Sequence, residues 1–128
     1  MKKSLVINNK INAFNKSLNI PSDKSLSIRC ILFAYLASGK SKIINILESD
    51  DIKNTKGCVQ KFGIRIKKKN KGHYEVFGNG VNGYKNKKGI SINAGNSGTL
   101  ARLILGCLID SPHKIKLMGD QSLSKRDF

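Results

Sequence analysis

Short β-branched runs alternate with capped helical segments along this chain, and that alternation restricts the fold more than any other feature. Pro21-Ser22-Asp23 forms a turn whose side chains can accept the orphan amides of a first helical turn. Ile28, Ile31, Leu32, Tyr35 and Leu36 then recur at helical spacing on one face, with Gly39 placed to cap the end. Residues 42–47 predict a strand. Ser49-Asp50-Asp51 opens a second helix carrying Ile52, Val59 and Phe62 and closed by Gly63. Residues 64–68 and 73–77 predict a hairpin around Lys69-Asn70-Lys71-Gly72, and the glycine- and asparagine-rich stretch 78–88 predicts a loop. Residues 89–93 predict a short strand, and Gly95-Asn96-Ser97-Gly98 a tight turn. A third helix bears Leu100, Leu103, Ile104, Cys107 and Leu108, and residues 114–118 predict a last strand. With extended pieces at 4–7 and 11–14, the order is strand, helix, strand, helix, hairpin, strand, helix, strand. That order indicates an α/β (α+β) fold in which helices pack on mixed sheets.

At 128 residues and 39% hydrophobic content the chain can build one modest core and not two full domains. No apolar run approaches the roughly 18 residues of a membrane span. The start, MKKSLVINNK, has too short an apolar region for a signal peptide and no small-residue cleavage site. A soluble cytoplasmic protein is therefore expected. Cys30, Cys58 and Cys107 are odd in number, widely spaced and set in apolar stretches, so buried free thiols are expected rather than disulfides or a metal site. His73 and His113, beside Gly72 and Pro112, are expected at the surface.

The formal net charge of +16 suits anionic partners, either nucleic acid or phosphorylated small molecules. Lysine, asparagine and isoleucine are all abundant and share AT-rich codons, so base composition also explains much of the surface charge. Lys67-Lys68-Lys69 and Lys71 fall on the predicted hairpin tip, where like charges favour a solvated turn over a nucleic-acid patch. Phe62, Tyr74, Phe77 and Tyr84 do not form the stacking pattern of an RNA-recognition sheet.

Two helix starts concentrate unusual residues. In Pro21–Arg29, Lys24, Ser25 and Arg29 sit where cations oppose the helix dipole. An anionic ligand would remove that conflict, since backbone N–H groups, a hydroxyl and two cations make a phosphate or carboxylate site. A surface helix with incidental charges is the alternative. In Asn93–Arg102, a glycine-bounded turn leads from a strand into a helix, its amides can point at an anion, and Arg102 follows one turn later. An ordinary strand-to-helix turn is the alternative there. Gly39-Lys40-Ser41 mimics the end of a P-loop, but Ala34 stands where the motif needs glycine, and the segment ends a predicted helix instead of opening one. Lys125 and Arg126 could complete an anion site or form a basic end.

Together these segments resemble the 5-enolpyruvylshikimate-3-phosphate synthase family from Pro21 to Arg126, in order and spacing. The similar stretches are Ser22–Arg29, Glu48-Ser49-Asp50-Asp51, Gly95-Asn96-Ser97-Gly98-Thr99 with Arg102, and Gly119–Arg126. The resemblance implies that Lys24, Ser25 and Arg29 hold shikimate 3-phosphate. It implies that Lys24, as the catalytic residue, also reaches phosphoenolpyruvate together with Asn96, Gly98, Arg102 and Arg126. The related family acting on a UDP-sugar has asparagine after its first lysine, whereas Ser25 follows Lys24 here. Leu103 and Asp127 stand where proline is usual in the family, and neither removes a ligand-binding group.

The implied reaction moves the enolpyruvyl group of phosphoenolpyruvate onto shikimate 3-phosphate in aromatic amino acid biosynthesis, with no cofactor or metal. Family members have two lobes built of βαβαββ units. The resemblance places residues 21–128 in part of the N-terminal substrate-binding lobe and residues 1–20 in opening strands that join the other lobe. Proton-handling carboxylates would belong to that other lobe, so the chain is expected to be a fragment without turnover of its own, and the missing lobe its natural partner. Glyphosate competes for the phosphoenolpyruvate site in this family, and the retained Gly98 implies sensitivity. A basic nucleic-acid-binding module remains the alternative function.

Overall fold

The computed structural model of this protein describes residues 4–6, 8, 10, 13, 15, 17, 20–85 and 89–127. The strands expected at 4–7 and 11–14 include residues 7, 11, 12 and 14, which lie outside the described residues.

Helix α1 (Lys24–Leu36) begins where the Asp23 carboxylate accepts the amide of Leu26 at 2.7 Å. Its first turn is tied down by Ser27, whose buried hydroxyl donates to the Asp23 carbonyl at 2.7 Å and accepts the Leu47 amide at 3.0 Å. Ile28, Ile31, Leu32 and Tyr35 point into the core, and Leu26, Cys30 and Phe33 face outward. Cys30 is thus exposed, contrary to expectation, because helical phase and not the apolar company of its neighbours decides its burial. Cys58 is buried, with its thiol donating to the Asn93 carbonyl at 3.2 Å, and Cys107 is half-buried. Burial pushes both of these thiols up.

Strand β1 (Ser38–Ile43) starts four residues before the expected position. Gly39 lies inside it, opposite Gly78, and does not cap α1. The carbonyl left free at the helix end belongs to Ala37 and is taken by the Gly80 amide at 3.0 Å. A Cβ on Gly78 would collide with the carbonyls of Ala34, Tyr35 and Ala37, so glycine lets the sheet press against the end of α1. The chain leaves the strand at Ile44, where Asn45 adopts a positive φ of 58° and accepts the Ser22 hydroxyl at 3.0 Å.

Helix α2 (Asp50–Gln60) has Ser49 in the capping position without a side-chain cap bond. Asp50 and Asp51 oppose the positive end of its dipole instead. Strands β2 (Arg65–Asn70) and β3 (His73–Asn79) form the expected antiparallel hairpin, and β1 joins it in the order β1-β3-β2. Strands β4 (Ile90–Asn93) and β5 (Ile115–Met118) pair in parallel, with α3 (Gly98–Cys107) as their crossover. Parallel pairing needs such a crossover, and it brings the ends of β4 and β5 side by side. His73 and His113 are each half-buried beside turns.

One core joins all three helices. Phe62, fully buried, sits between Tyr35 and Tyr84 with ring centroids 5.9 and 6.3 Å away. Ile28, Ile52, Val76, Ile92, Leu100 and Ile104 are fully buried around it. Among the described residues, no helix is long and apolar enough to cross a membrane.

Candidate anion-binding site

The start of α3 is built by the turn after β4. Asn93 accepts the Gly95 amide through its side chain at 2.8 Å, and the buried Ser97 hydroxyl accepts the Leu100 amide at 3.3 Å. Asn54 of α2 buttresses the turn from behind, since a Cβ on Gly95 would strike its amide group. The loop after β5 closes over the same place. The Asp120 amide donates to the Gly95 carbonyl at 2.9 Å, and the Asp120 carboxylate accepts the Leu123 amide at 2.7 Å. Leu123 is buried against Gly119, which leaves no room there for a side chain. A short 3-10 turn (Leu123–Lys125) then delivers Arg126 to the start of α3.

Arg126 and Arg102 converge on Gly98. A Cβ at Gly98 would lie 3.1 Å from Nη1 of each guanidinium. Arg126 Nη2 donates to the Asn96 side-chain oxygen at 2.8 Å and to the Ser122 hydroxyl at 3.4 Å. Arg102 Nη2 donates to the Asp127 carbonyl at 3.0 Å. Two cations thus meet at the positive end of a helix dipole, with glycine leaving the backbone open between them. Guanidinium groups present paired N–H donors suited to phosphate and carboxylate, and the helix start adds its own first-turn amides. Of the residues singled out in the sequence, the structure brings Asn96, Gly98, Arg102 and Arg126 together here.

Lys24, Ser25 and Arg29 occupy a second helix start. Lys24 Nζ lies 2.9 Å from the Asp51 carboxylate, which links the first turns of α1 and α2. The cation at the start of α1 therefore has a protein counter-ion. Ser25 is half-buried, and Arg29 is exposed along a mostly apolar cleft with Leu32, Phe33, Leu103 and Cys107 between α1 and α3. Asp51 was visible in the sequence only as a helix-start acid. The doublet Asp50-Asp51 was the available signal, because the dipole itself asks for no second carboxylate. Asn54 carried no signal at all, and Ser122 only its place in the stretch Gly119–Arg126.

A third polar cluster holds Glu48. Its carboxylate accepts from Lys68 Nζ at 2.9 Å, the Gly72 amide at 3.0 Å and the Tyr74 hydroxyl at 2.8 Å. Lys68 first, then the Gly72 amide and Tyr74, hold this carboxyl down to about 2.

Comparison with known proteins gives one consistent family. The family model for EPSP synthase (3-phosphoshikimate 1-carboxyvinyltransferase) matches residues 8–127. A 3-phosphoshikimate 1-carboxyvinyltransferase from Vesicomyosocius okutanii is 42% identical over 123 residues, covering 96% of this chain and 28% of that protein. One from Ruegeria sp. is 39% identical over 108 residues, covering 84% of this chain and 24% of that protein. The solved EPSP synthase from Acinetobacter baumannii superposes with a TM-score of 0.72 at 35% identity, over 85% of this chain and 24% of that one. The chain spans about a quarter of the length of the curated relatives it matches.

Proposed function

This chain belongs to the EPSP synthase family, and from that membership we propose that it is the substrate-binding portion of an enolpyruvyl transferase. In this reading residues 21–128 form part of the N-terminal lobe and residues 1–20 lead toward the other lobe. The substrates are phosphoenolpyruvate and shikimate 3-phosphate, met in the cytoplasm. Each carries a phosphate and a carboxylate, so the pair brings a high density of negative charge into one place.

The convergence of Arg102 and Arg126 on Gly98 carries the proposal. Phosphoenolpyruvate lies against the Gly98 backbone, its anionic groups held by the two guanidiniums, with Asn96 fixing Arg126. Ser25 and Arg29 bind shikimate 3-phosphate. Lys24 reaches both substrates, and its ammonium exchanges Asp51 for substrate oxygen when they bind. The 5-hydroxyl oxygen of shikimate 3-phosphate bonds to C2 of phosphoenolpyruvate while C3 takes a proton, and the hydroxyl proton leaves to a base. The tetrahedral intermediate then loses a C3 proton and inorganic phosphate, which restores the double bond. Residues of this chain supply positioning and charge stabilisation. The acid and base belong to the lobe that completes a family-length enzyme, so the purified chain turns nothing over.

Calorimetric titration of phosphoenolpyruvate into the chain, beside Arg126→Ala, tests this assignment. A loss of at least about tenfold in affinity, about 1.4 kcal/mol, supports it. Equal affinity in the variant contradicts it.

A further inference from the structure

We propose that the cleft between α2 and the β2–β3 hairpin is an accessory site for a small molecule bearing a di- or triphosphate, separate from the residues at the start of α3. The cleft has a volume of about 550 Å³, within the size range of small-molecule sites. Lys53, Lys56, Lys61 and Lys68 line it, together with Gly57 and Tyr74.

Those four lysines are not equivalent. Lys68 is neutralised by Glu48 at 2.7 Å. The other three have no carboxylate within 4 Å among the described residues, and Asp50, one turn before Lys53, lines the adjoining cleft. Two of the three are nevertheless held in place by neutral groups. Lys56 Nζ donates to the Tyr74 hydroxyl at 3.0 Å and lies 4.3 Å from the centre of its ring. Lys61 Nζ donates to the Ser91 carbonyl at 2.6 Å. Fixing an ammonium on a neutral partner leaves its charge uncompensated, so the cleft gathers three positive charges, two of them held in place. A ligand with several phosphate oxygens can engage three ammonium groups, which a single carboxylate with two oxygens does not.

Gly57 adds an independent observation. It stands in the middle of α2, where glycine weakens a helix relative to other residues. A Cβ there would meet nothing within 4 Å, so packing does not require glycine. Its effect is to leave the cleft floor bare between Lys53 and Lys61. The site rests on residues that take no part in the proposed substrate contacts, and it stands or falls independently of them.

The test is a calorimetric titration of inorganic triphosphate into the full chain at about 0.15 M salt, where long-range surface attraction is screened. Four comparisons locate the binding: Gly57→Glu, Lys53→Gln with Lys56→Gln, Lys40→Gln with Lys42→Gln on the outer face of the sheet, and Arg126→Ala. Saturable binding is expected, weakened at least tenfold by the first two and less than twofold by the last two. Gly57→Glu should leave the melting temperature unchanged or raised, since a side chain there fills only solvent. If it unfolds the chain, Lys53→Gln alone decides, because the Lys53 side chain makes no hydrogen bond among the described residues. The proposal is overturned by absence of saturable binding. It is equally overturned by equal losses in the outer-face variant, which would mean diffuse charge, or by a loss confined to Arg126→Ala, which would place triphosphate in the candidate substrate site.

Discussion

In the proposed function, it is the absence of a side chain at Gly98 that lets phosphoenolpyruvate meet the backbone. Both guanidiniums approach the place where a Cβ would stand, 3.1 Å from each Nη1. Arginine ends are flexible, so Gly98→Ala should shift them by a few tenths of an ångström without breaking the core. Stability should then change little, while affinity for phosphoenolpyruvate falls about tenfold or more. The same crowding should weaken glyphosate, so a complete enzyme with Gly98 is expected to be inhibited and its alanine variant resistant. Parallel thermal melts and titrations of the two proteins check this. A large drop in melting temperature would mean that Gly98 is needed for packing. Lys24 shows the limit of reading single residues. Its charge and its place at a helix start were evident in sequence, whereas its partner Asp51 is 27 positions away and is brought to it only by the packing of α1 on α2.

At the scale of elements, Glu48 joins the segment after β1 to the hairpin through Lys68, Gly72 and Tyr74. Its folded carboxyl, at about 2, lies below its unfolded value of 4.5. The unfolded chain therefore binds the proton more readily, and this contribution to stability is full above about 4.5 and fades as pH falls toward 2. Glu48→Gln should lower the melting temperature near neutral pH and flatten its fall across that acid window. An unchanged acid profile would mean that other carboxyls govern it. The hairpin, β4, α3 and β5 were legible because alternation, caps and glycine turns all agree there. Strand β1 was not. Its sequence Ser38-Gly39-Lys40-Ser41-Lys42-Ile43 is polar and mostly exposed, so it is a strand because β3 pairs with it and not because its own pattern demands one. The glycine expected to end α1 serves that pairing instead.

At the scale of the molecule, one small core carries three helices and two sheets among the described residues. Phe62 stands at its centre between Tyr35 and Tyr84. Phe62→Ala should cost about 3–5 kcal/mol, against a total of about 5–15 kcal/mol for a domain. The melting temperature should fall by about 10–20 °C, or the cooperative transition should disappear. A fall of only a few degrees would show that the aromatic cluster is peripheral. Part of the positive charge behind the net +16 falls on the proposed substrate residues, the cleft beside α2 and the outer sheet face. That distribution, unlike the total, depends on strand register and helix phase. The assignment of the chain as a substrate-binding portion is tested most directly by calorimetric titration of shikimate 3-phosphate, with and without phosphoenolpyruvate, into the chain and into Lys24→Ala. Saturable binding that is lost in the variant is the predicted result. Binding that survives loss of Lys24, or none at all by a cooperatively folded chain, would contradict the assignment.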